Sequence, residues 1–294
     1  MNQLPDYFNK PEYVFRPRQL LRRLGPRPKG FDDIAEVRLA WGLPLRVRPQ
    51  ECLGRAIWNT GLYDLAVSEA LWRLTDTGET VVDAGANIGT YTSLFARRVG
   101  AGGQVWAYEP HPAVFGDLSE NAKLWPETMI ARLRLRQAAL SDSAGNVSLF
   151  QGETFVQNRC LSKITADDRN GITVERVTLD EEIGSNQTIG VMKVDVEDHE
   201  GALMRGAARL LRRHAVRDIV FEEHGDEPGE ASQLLEAFGY RVFRILKGFF
   251  GLTLTAPTQR REQALMPASF LGTSDPKRAL ARLRPRGWQC LREF

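Results

Sequence analysis

The sequence predicts an α/β fold: a doubly wound, mostly parallel sheet of seven strands that finishes in a C-terminal antiparallel hairpin. Three observations carry this. Short β-type runs at Thr80 to Asp83, Gln104 to Tyr108, Leu133 to Ala139, Ile189 to Val196 and Asp218 to Glu222 alternate with stretches of helical periodicity. The first run empties into a glycine turn, Asp83-Ala84-Gly85-Ala86-Asn87-Ile88-Gly89, which opens a helix near Thr90. The second ends in Glu109, twenty residues beyond Gly89. A glycine turn followed by a carboxylate at the tip of the next strand is the arrangement of Rossmann-like sheets.

The elements follow in order. Residues 1–45 read as a basic N-terminal extension, and 46–294 as the main domain. Residues 16–29 hold six basic residues and no acid, with prolines that argue against one long helix. A solvated arm is the simpler reading; an anionic partner for it is the alternative. Strand-like pieces at Val37 to Trp41 and Leu45 to Val47 precede a helix at Asp64 to Leu74, where Leu65, Ala66, Ala70, Leu71 and Leu74 form one stripe. Helices are expected at Thr90 to Val99 and Ala113 to Leu124. After strand three the alternation breaks. Asn146 to Phe150 and Ile172 to Val177 read as a small β insertion around the polar segment Gln151 to Asn170. The helix after strand four puts Leu203, Ala207, Leu210 and Leu211 on one face and Arg205, Arg209, Arg212 and Arg213 on the other, a solvated surface rather than a nucleic-acid contact. Tyr240 to Leu246, Leu252 to Leu254 and Ser269 to Gly272 supply the late strands.

Composition narrows the class. The chain has 294 residues and a formal net charge of +2, which gives no argument for a nucleic-acid partner. Its three cysteines, Cys52, Cys160 and Cys290, are far apart and form no metal pattern, so reduced thiols in a cytoplasmic protein are expected. The polar start, Met1 to Lys10, has no signal-peptide core, and no run approaches the ~20 apolar residues of a membrane span.

The spacing of the glycine turn discriminates between cofactors. A dinucleotide fingerprint needs glycines where Asp83, Gly85 and Ile88 stand. The pattern D-x-G-x-x-x-G resembles instead the first motif of class I S-adenosylmethionine-dependent methyltransferases. That likeness implies that Asp83, Gly85, Asn87 and Gly89 surround the cofactor's amino-acid end, and that S-adenosylhomocysteine is the product. It implies too that Glu109 accepts hydrogen bonds from both ribose hydroxyls, a task suited to a carboxylate. Ser141 and Asp142, at the end of strand three, are candidates for the adenine, although Ser141 to Gly145 is also good turn chemistry. Tyr63 joins the cofactor-binding candidates, and with Tyr91 it is a candidate wall of the site.

Strand four is the chemical centre: Lys193-Val194-Asp195-Val196-Glu197-Asp198-His199-Glu200. A period of two places Lys193, Asp195 and Glu197 on one side. Asp195, Glu197 and His199 are the catalytic candidates, because methylation of a hydroxyl benefits from a positioned base and an imidazole titrates near neutrality. Strand five ends similarly in Phe221-Glu222-Glu223-His224, from which Glu223 and His224 are taken as acceptor-binding candidates with Asn158 and Ser162 of the insert. These residue types can hold a divalent metal, but sulfonium methyl transfer does not require one and none is expected.

The run from Lys193 to Glu200, continued by Leu203, Gly206 and Ala207, resembles a narrower group, the FkbM-type methyltransferases. Ile57 to Asp64, Asp83 to Gly89, Ala139 to Asp142 with Gly145, Thr178-Leu179-Asp180, Phe270 to Thr273, Pro276 and Gly287-Trp288 extend the likeness over roughly residues 45–294. Asp198 departs from it, standing where the family usually has glycine. The resemblance implies O-methylation of a hydroxyl on a small molecule such as a natural product, sugar or glycan. Three alternatives share parts of the pattern: N-methylation on the same fold, a nicotinamide-dependent oxidoreductase, and a nucleic-acid methyltransferase.

Overall fold

A computed structural model of the chain describes residues 11–15, 30, 33–150, 163–165, 171–223, 228–258 and 268–292. A short helix α1 (Pro11–Phe15) is followed by a hairpin of β1 (Ala35–Arg38) and β2 (Pro44–Val47), then α2 (Cys52–Thr60) and α3 (Leu65–Leu74). The wound core comprises β3 (Thr80–Ala84), α4 (Thr90–Val99), β4 (Gln104–Tyr108), α5 (Pro112–Ala122) and β5 (Arg132–Arg136). Next come the insertion strands β6 (Ala139–Leu140), β7 (Gly145–Phe150), β8 (Lys163–Thr165) and β9 (Gly171–Val177), with α6 (Leu179–Glu182). The chain closes through β10 (Ile189–Val194), α7 (Glu200–Gly206), α8 (Ala208–Arg212), β11 (Val216–Glu223), α9 (Glu230–Ala237), β12 (Arg241–Gly248), β13 (Gly251–Thr255), β14 (Ala268–Thr273) and α10 (Pro276–Leu283).

The main sheet runs β13-β12-β14-β11-β10-β3-β4-β5, eight strands rather than the expected seven. The strands from β5 across to β11 are mutually parallel, and β14 runs antiparallel between β11 and β12. The strand expected at Leu252 to Leu254 is β13, the second arm of the C-terminal hairpin, and it extends the sheet at its edge. Alternate residues feed two cores. Val81, Val105, Val191 and Val220 pack with α3, α4 and the β1–β2 hairpin, while Val82, Trp106, Met192 and Phe221 pack under α7, α8 and α9.

Two elements differ from expectation. Strand three stops at Arg136, and Ala139–Leu140 leaves the main sheet to pair with β9 in a second sheet ordered β6-β9-β7-β8. The amphipathic helix after strand four is divided at Ala207, whose φ of −108° and ψ of 10° are not helical. Gly206 lies against the Ser141 carbonyl there, where a Cβ would overlap it. Leu203, Ala207, Leu210 and Leu211 are nonetheless all fully buried.

The hairpin at residues 35–47 straddles the expected 45/46 boundary, and its Val37, Leu39, Trp41, Leu43 and Leu45 belong to the main core. Trp41 Nε1 donates to Ser93 Oγ (2.9 Å), and Trp125 Nε1 to the Pro44 carbonyl (2.9 Å). The basic segment 16–29, Cys160 and the segment 151–162 fall outside the described residues. Cys52 and Cys290 are free thiols, and burial pushes the Cys290 thiol well up. No helix among the described residues is long and apolar enough to cross a membrane.

The C-terminal stretch is held by a buried ion pair. Glu69 accepts from Arg73 Nε (2.5 Å) and from the backbone N–H groups of Gln289 (2.7 Å) and Cys290 (2.8 Å). Arg73 donates in turn to the carbonyls of Pro285 (2.7 Å) and Gly287 (2.8 Å). Removing one partner leaves a buried charge uncompensated, so Glu69→Ala is expected to lower stability by about 3–5 kcal/mol. Urea unfolding checks this; a loss below about 1 kcal/mol would show that the clasp contributes little.

Candidate functional site

The sheet order reverses between β3 and β10, which opens a crevice at the carboxyl ends of the strands. The glycine turn after β3 fills one side of it. Gly85 (φ 73°), Asn87 (φ 50°) and Gly89 (φ 96°) adopt the left-handed region, which Asn tolerates better than most side chains. Gly85 N and Ala86 N donate to the Tyr108 carbonyl (3.0 and 2.9 Å), while Asp195 N donates to the Ala84 carbonyl (3.1 Å). A Cβ at Gly85 would collide with the Asp195 carbonyl oxygen, so only glycine permits this approach.

Glu109 sits at the tip of β4 as expected. One carboxylate oxygen accepts from Asn87 N (2.9 Å) and the other from His111 N (2.9 Å). This fixes the carboxylate plane and leaves one lone pair on each oxygen. Burial pushes its pKa up to about 7, with the two backbone bonds working the other way. Behind the turn, Asn121 ties three pieces together: its Nδ2 donates to the carbonyls of Ile88 (2.9 Å) and Arg46 (3.1 Å), and its Oδ1 accepts from Arg46 N (2.7 Å).

The other side of the crevice is charged. Lys193, only 3% exposed, donates to the Gly85 carbonyl (2.7 Å) and lies 3.7 Å from Asp83 and 3.4 Å from Asp195. Burial opposes its charge, but Asp195, Asp83 and Glu222 together outweigh that and hold its pKa above the ordinary lysine value. Asp83 accepts from Thr92 Oγ1 (2.6 Å), and burial raises its pKa. The β10–β11 register, Lys193 opposite Val220, carries forward to put Asp195 abreast of Glu222. Burial, then Asp195 and Asp64, push Glu222 up to about 8.

Glu222 is the site residue that reading the strand tip alone missed. The signal lay in the pairing register, since Lys193, Asp195 and Glu222 share one face. Its neighbour Glu223, expected to touch the acceptor, is occupied elsewhere. It caps α9, accepting from Ala231 N (2.8 Å), Ser232 N (3.2 Å), Gly229 N (3.1 Å) and Ser232 Oγ (2.5 Å). His224, Asn158 and Ser162 lie outside the described residues.

The expected trio of Asp195, Glu197 and His199 is divided. His199 Nε2 lies 2.9 Å from Ser141 Oγ, and burial lowers its pKa. Its charged neighbours are Asp142, Arg205 and Arg176, not Asp195. Asp142 is exposed and takes Arg205 at 3.3 Å. Ser141, Asp142 and His199 thus form one group, and Asp195 with Lys193 and Glu222 another. Glu197 (φ 50°) and Asp198 (φ 67°) turn the chain between them.

Tyr63 is half-buried beside the core, and Asp64 caps α3 through Ala66 N (2.7 Å) and Val67 N (2.9 Å). Asp83 Oδ1, Thr90 Oγ1 and the Tyr91 hydroxyl are buried and have no hydrogen-bond partner among the described residues. The Asp83 carboxylate and Thr90 Oγ1, on either side of the glycine turn, fit the ammonium-bearing amino-acid end of S-adenosylmethionine, and Glu109 fits a ribose diol. Among the described residues no group of three or more His, Cys, Asp and Glu side chains could hold a metal ion.

Comparison with known proteins matches residues 83–242 to the Methyltransferase FkbM domain. The chain is 30% identical over 186 residues to the hexuronic acid methyltransferase AglP of Haloferax volcanii, covering 57% of this chain and 72% of that one. It is 33% identical over 123 residues to methyltransferase sdnD of Sordaria araneosa, covering 40% of this chain and 43% of that one. Among solved structures, a SAM-dependent methyltransferase from Agrobacterium tumefaciens superposes with a TM-score of 0.45 at 11% identity, covering 83% of this chain and 70% of that one.

Ionised Glu109 accepts hydroxyl donors better than its protonated form. With its pKa near 7, S-adenosylhomocysteine affinity is expected to rise about tenfold from pH 6 to pH 8. Titration calorimetry reads this. Glu109→Gln should weaken binding and flatten the slope; an unchanged affinity and slope would remove Glu109 from the cofactor site.

Proposed function

Because the chain belongs to the Methyltransferase FkbM domain family, we propose that this methyltransferase acts on a hydroxyl of a small, sugar-like molecule. The observation that carries the reading is the pairing of the glycine turn with a carboxylate-bearing strand end, in a chain similar to a hexuronic acid methyltransferase. S-adenosylmethionine, when bound, supplies an electrophilic methyl group on a sulfonium. The residues do the rest. Gly85 and Gly89 let the backbone approach, while Asp83, Asn87 and Tyr63 hold the amino-acid end and Glu109 the ribose. Ser141 and Asp142 receive the adenine, and His199 supports that wall through its contact with Ser141 Oγ. Asp195 and Glu197 face the acceptor, where a carboxylate at this end takes up the proton that the hydroxyl gives up.

A carboxylate at this strand end suits an alcohol, whose proton must leave as the new bond forms. Lys193, itself buried, lies 3.4 Å from the half-buried Asp195 and compensates its charge. Exclusion of water by Tyr63, Tyr91 and the core residues behind them keeps the methyl donor from hydrolysis.

The test has two stages. S-adenosylhomocysteine is expected to raise the melting temperature and NAD to leave it unchanged. Incubation with S-adenosylmethionine and a panel of hexuronic acids and neutral sugars, followed by mass spectrometry, is expected to give an O-methylated product. Asp195→Asn should lower kcat by about 10²- to 10⁴-fold with little change in S-adenosylhomocysteine affinity. Methylation of nitrogen alone, or of RNA or DNA alone, would overturn the proposed acceptor.

A further inference from the structure

We propose that Glu222 is the base that takes the acceptor proton, and that the Tyr91 hydroxyl holds the acceptor oxygen beside it. This rests on the reading of the site as a hydroxyl methyltransferase. Two independent observations support it. The first is position: Glu222 stands at the carboxyl end of β11, abreast of Asp195 across the parallel pair. The groups bearing on it are Asp195 and Glu197 after β10, Lys193 within β10 and Asp64 at the cap of α3.

The second is Tyr91, in the first turn of α4 immediately after the glycine turn. Its side chain is only 6% exposed, and its hydroxyl has no hydrogen-bond partner among the described residues. The acidic groups acting on it are Asp64, Glu222 and Asp195, and Lys193 Nζ lies 5.3 Å from its ring centre. A buried phenol with nothing to bind costs stability unless a ligand completes it. An acceptor oxygen between the phenol and Glu222 satisfies both groups.

Charge explains why Glu222, and not Asp195, is the free base. Lys193 is already paired with Asp83 and Asp195. Glu222 is the third carboxylate around one cation, and like charges force one of the three to hold its proton to higher pH. That is the property of a proton acceptor near neutrality. In the step, a lone pair of the acceptor oxygen forms the new bond to the methyl carbon. The bond from that carbon to sulfur breaks with its electron pair going to sulfur, and the O–H proton passes to the Glu222 carboxylate. Tyr91 donates to the same oxygen and keeps its own proton.

The experiment compares wild type, Glu222→Gln and Tyr91→Phe with S-adenosylmethionine and a hexuronic acid as acceptor. Glu222→Gln should lower kcat at least 100-fold and abolish the rise of kcat with pH, with S-adenosylhomocysteine affinity kept within about twofold. Tyr91→Phe removes only an unpartnered hydroxyl, so it should fold as well as wild type and raise KM about tenfold. A Glu222→Gln protein that keeps its kcat and pH slope, or that loses cofactor affinity in proportion, would overturn the proposal. Should wild type bind S-adenosylhomocysteine yet methylate no hydroxyl, the functional reading fails instead. The assignment of Glu222 then falls with it, whereas a wild type that methylates a hydroxyl while Glu222→Gln keeps its kcat and pH slope overturns the assignment alone.

Discussion

The Lys193 ammonium is the interaction on which the site depends. An amine this deeply buried would lose its proton if left alone. It keeps it because Asp83 and Asp195 lie within ion-pair distance and the Gly85 carbonyl accepts from it at 2.7 Å. Those three groups belong to the end of β3, the turn that follows it and the end of β10. One cation therefore fixes the relative position of the glycine turn and the carboxylate-bearing strand. It also sets the local electrostatics, since a third carboxylate nearby finds the positive charge already shared.

The same convergence constrains the backbone. Gly85 passes so close under the Asp195 carbonyl that a methyl group has no room. The turn is held from behind as well, because Asn121 bonds both the Ile88 carbonyl and the backbone of Arg46. The matched family region begins at Asp83, yet a hairpin at residues 35–47 supports the turn that opens it. The hairpin also reaches the helix that follows the turn, through Trp41 Nε1 and Ser93 Oγ, so its placement and that of the turn are tied together.

Local chemistry made much of this legible in the sequence. The helix Thr90–Val99 and strand Gln104–Tyr108 follow directly from periodicity and from the glycines that bound them. What periodicity does not contain is pairing. Nothing in the run Leu133 to Ala139 says that Ala139–Leu140 will leave one sheet for another, since the partner that draws it away, β9, lies more than thirty residues on. Glu222 and Glu223 look alike as letters. Only the register against β10 shows that Glu222 shares a face with Asp195, and only the fold brings the N-terminus of α9 onto Glu223. The intrinsic pKa of an imidazole points to His199 as a base, but its partner Ser141 comes from a different strand.

The short segment after β10 explains how one strand end serves two purposes. Glu197 and Asp198 both adopt positive φ, a conformation costing about 1–2 kcal/mol per residue for side chains other than glycine. A glycine at position 198 would adopt this φ without the steric cost that Asp198 carries. Its geometry has a consequence. An extended strand would carry Asp195, Glu197 and His199 along one face toward a single point. The left-handed pair reverses the chain instead, leaving Asp195 on Lys193 and turning His199 onto Ser141. Glu200 closes the reversal by accepting from Val196 N at 3.4 Å, and its burial pushes it up to about 7. Strain held between two fixed ends is a way to keep a carboxylate aimed at one part of a crevice and an imidazole at another.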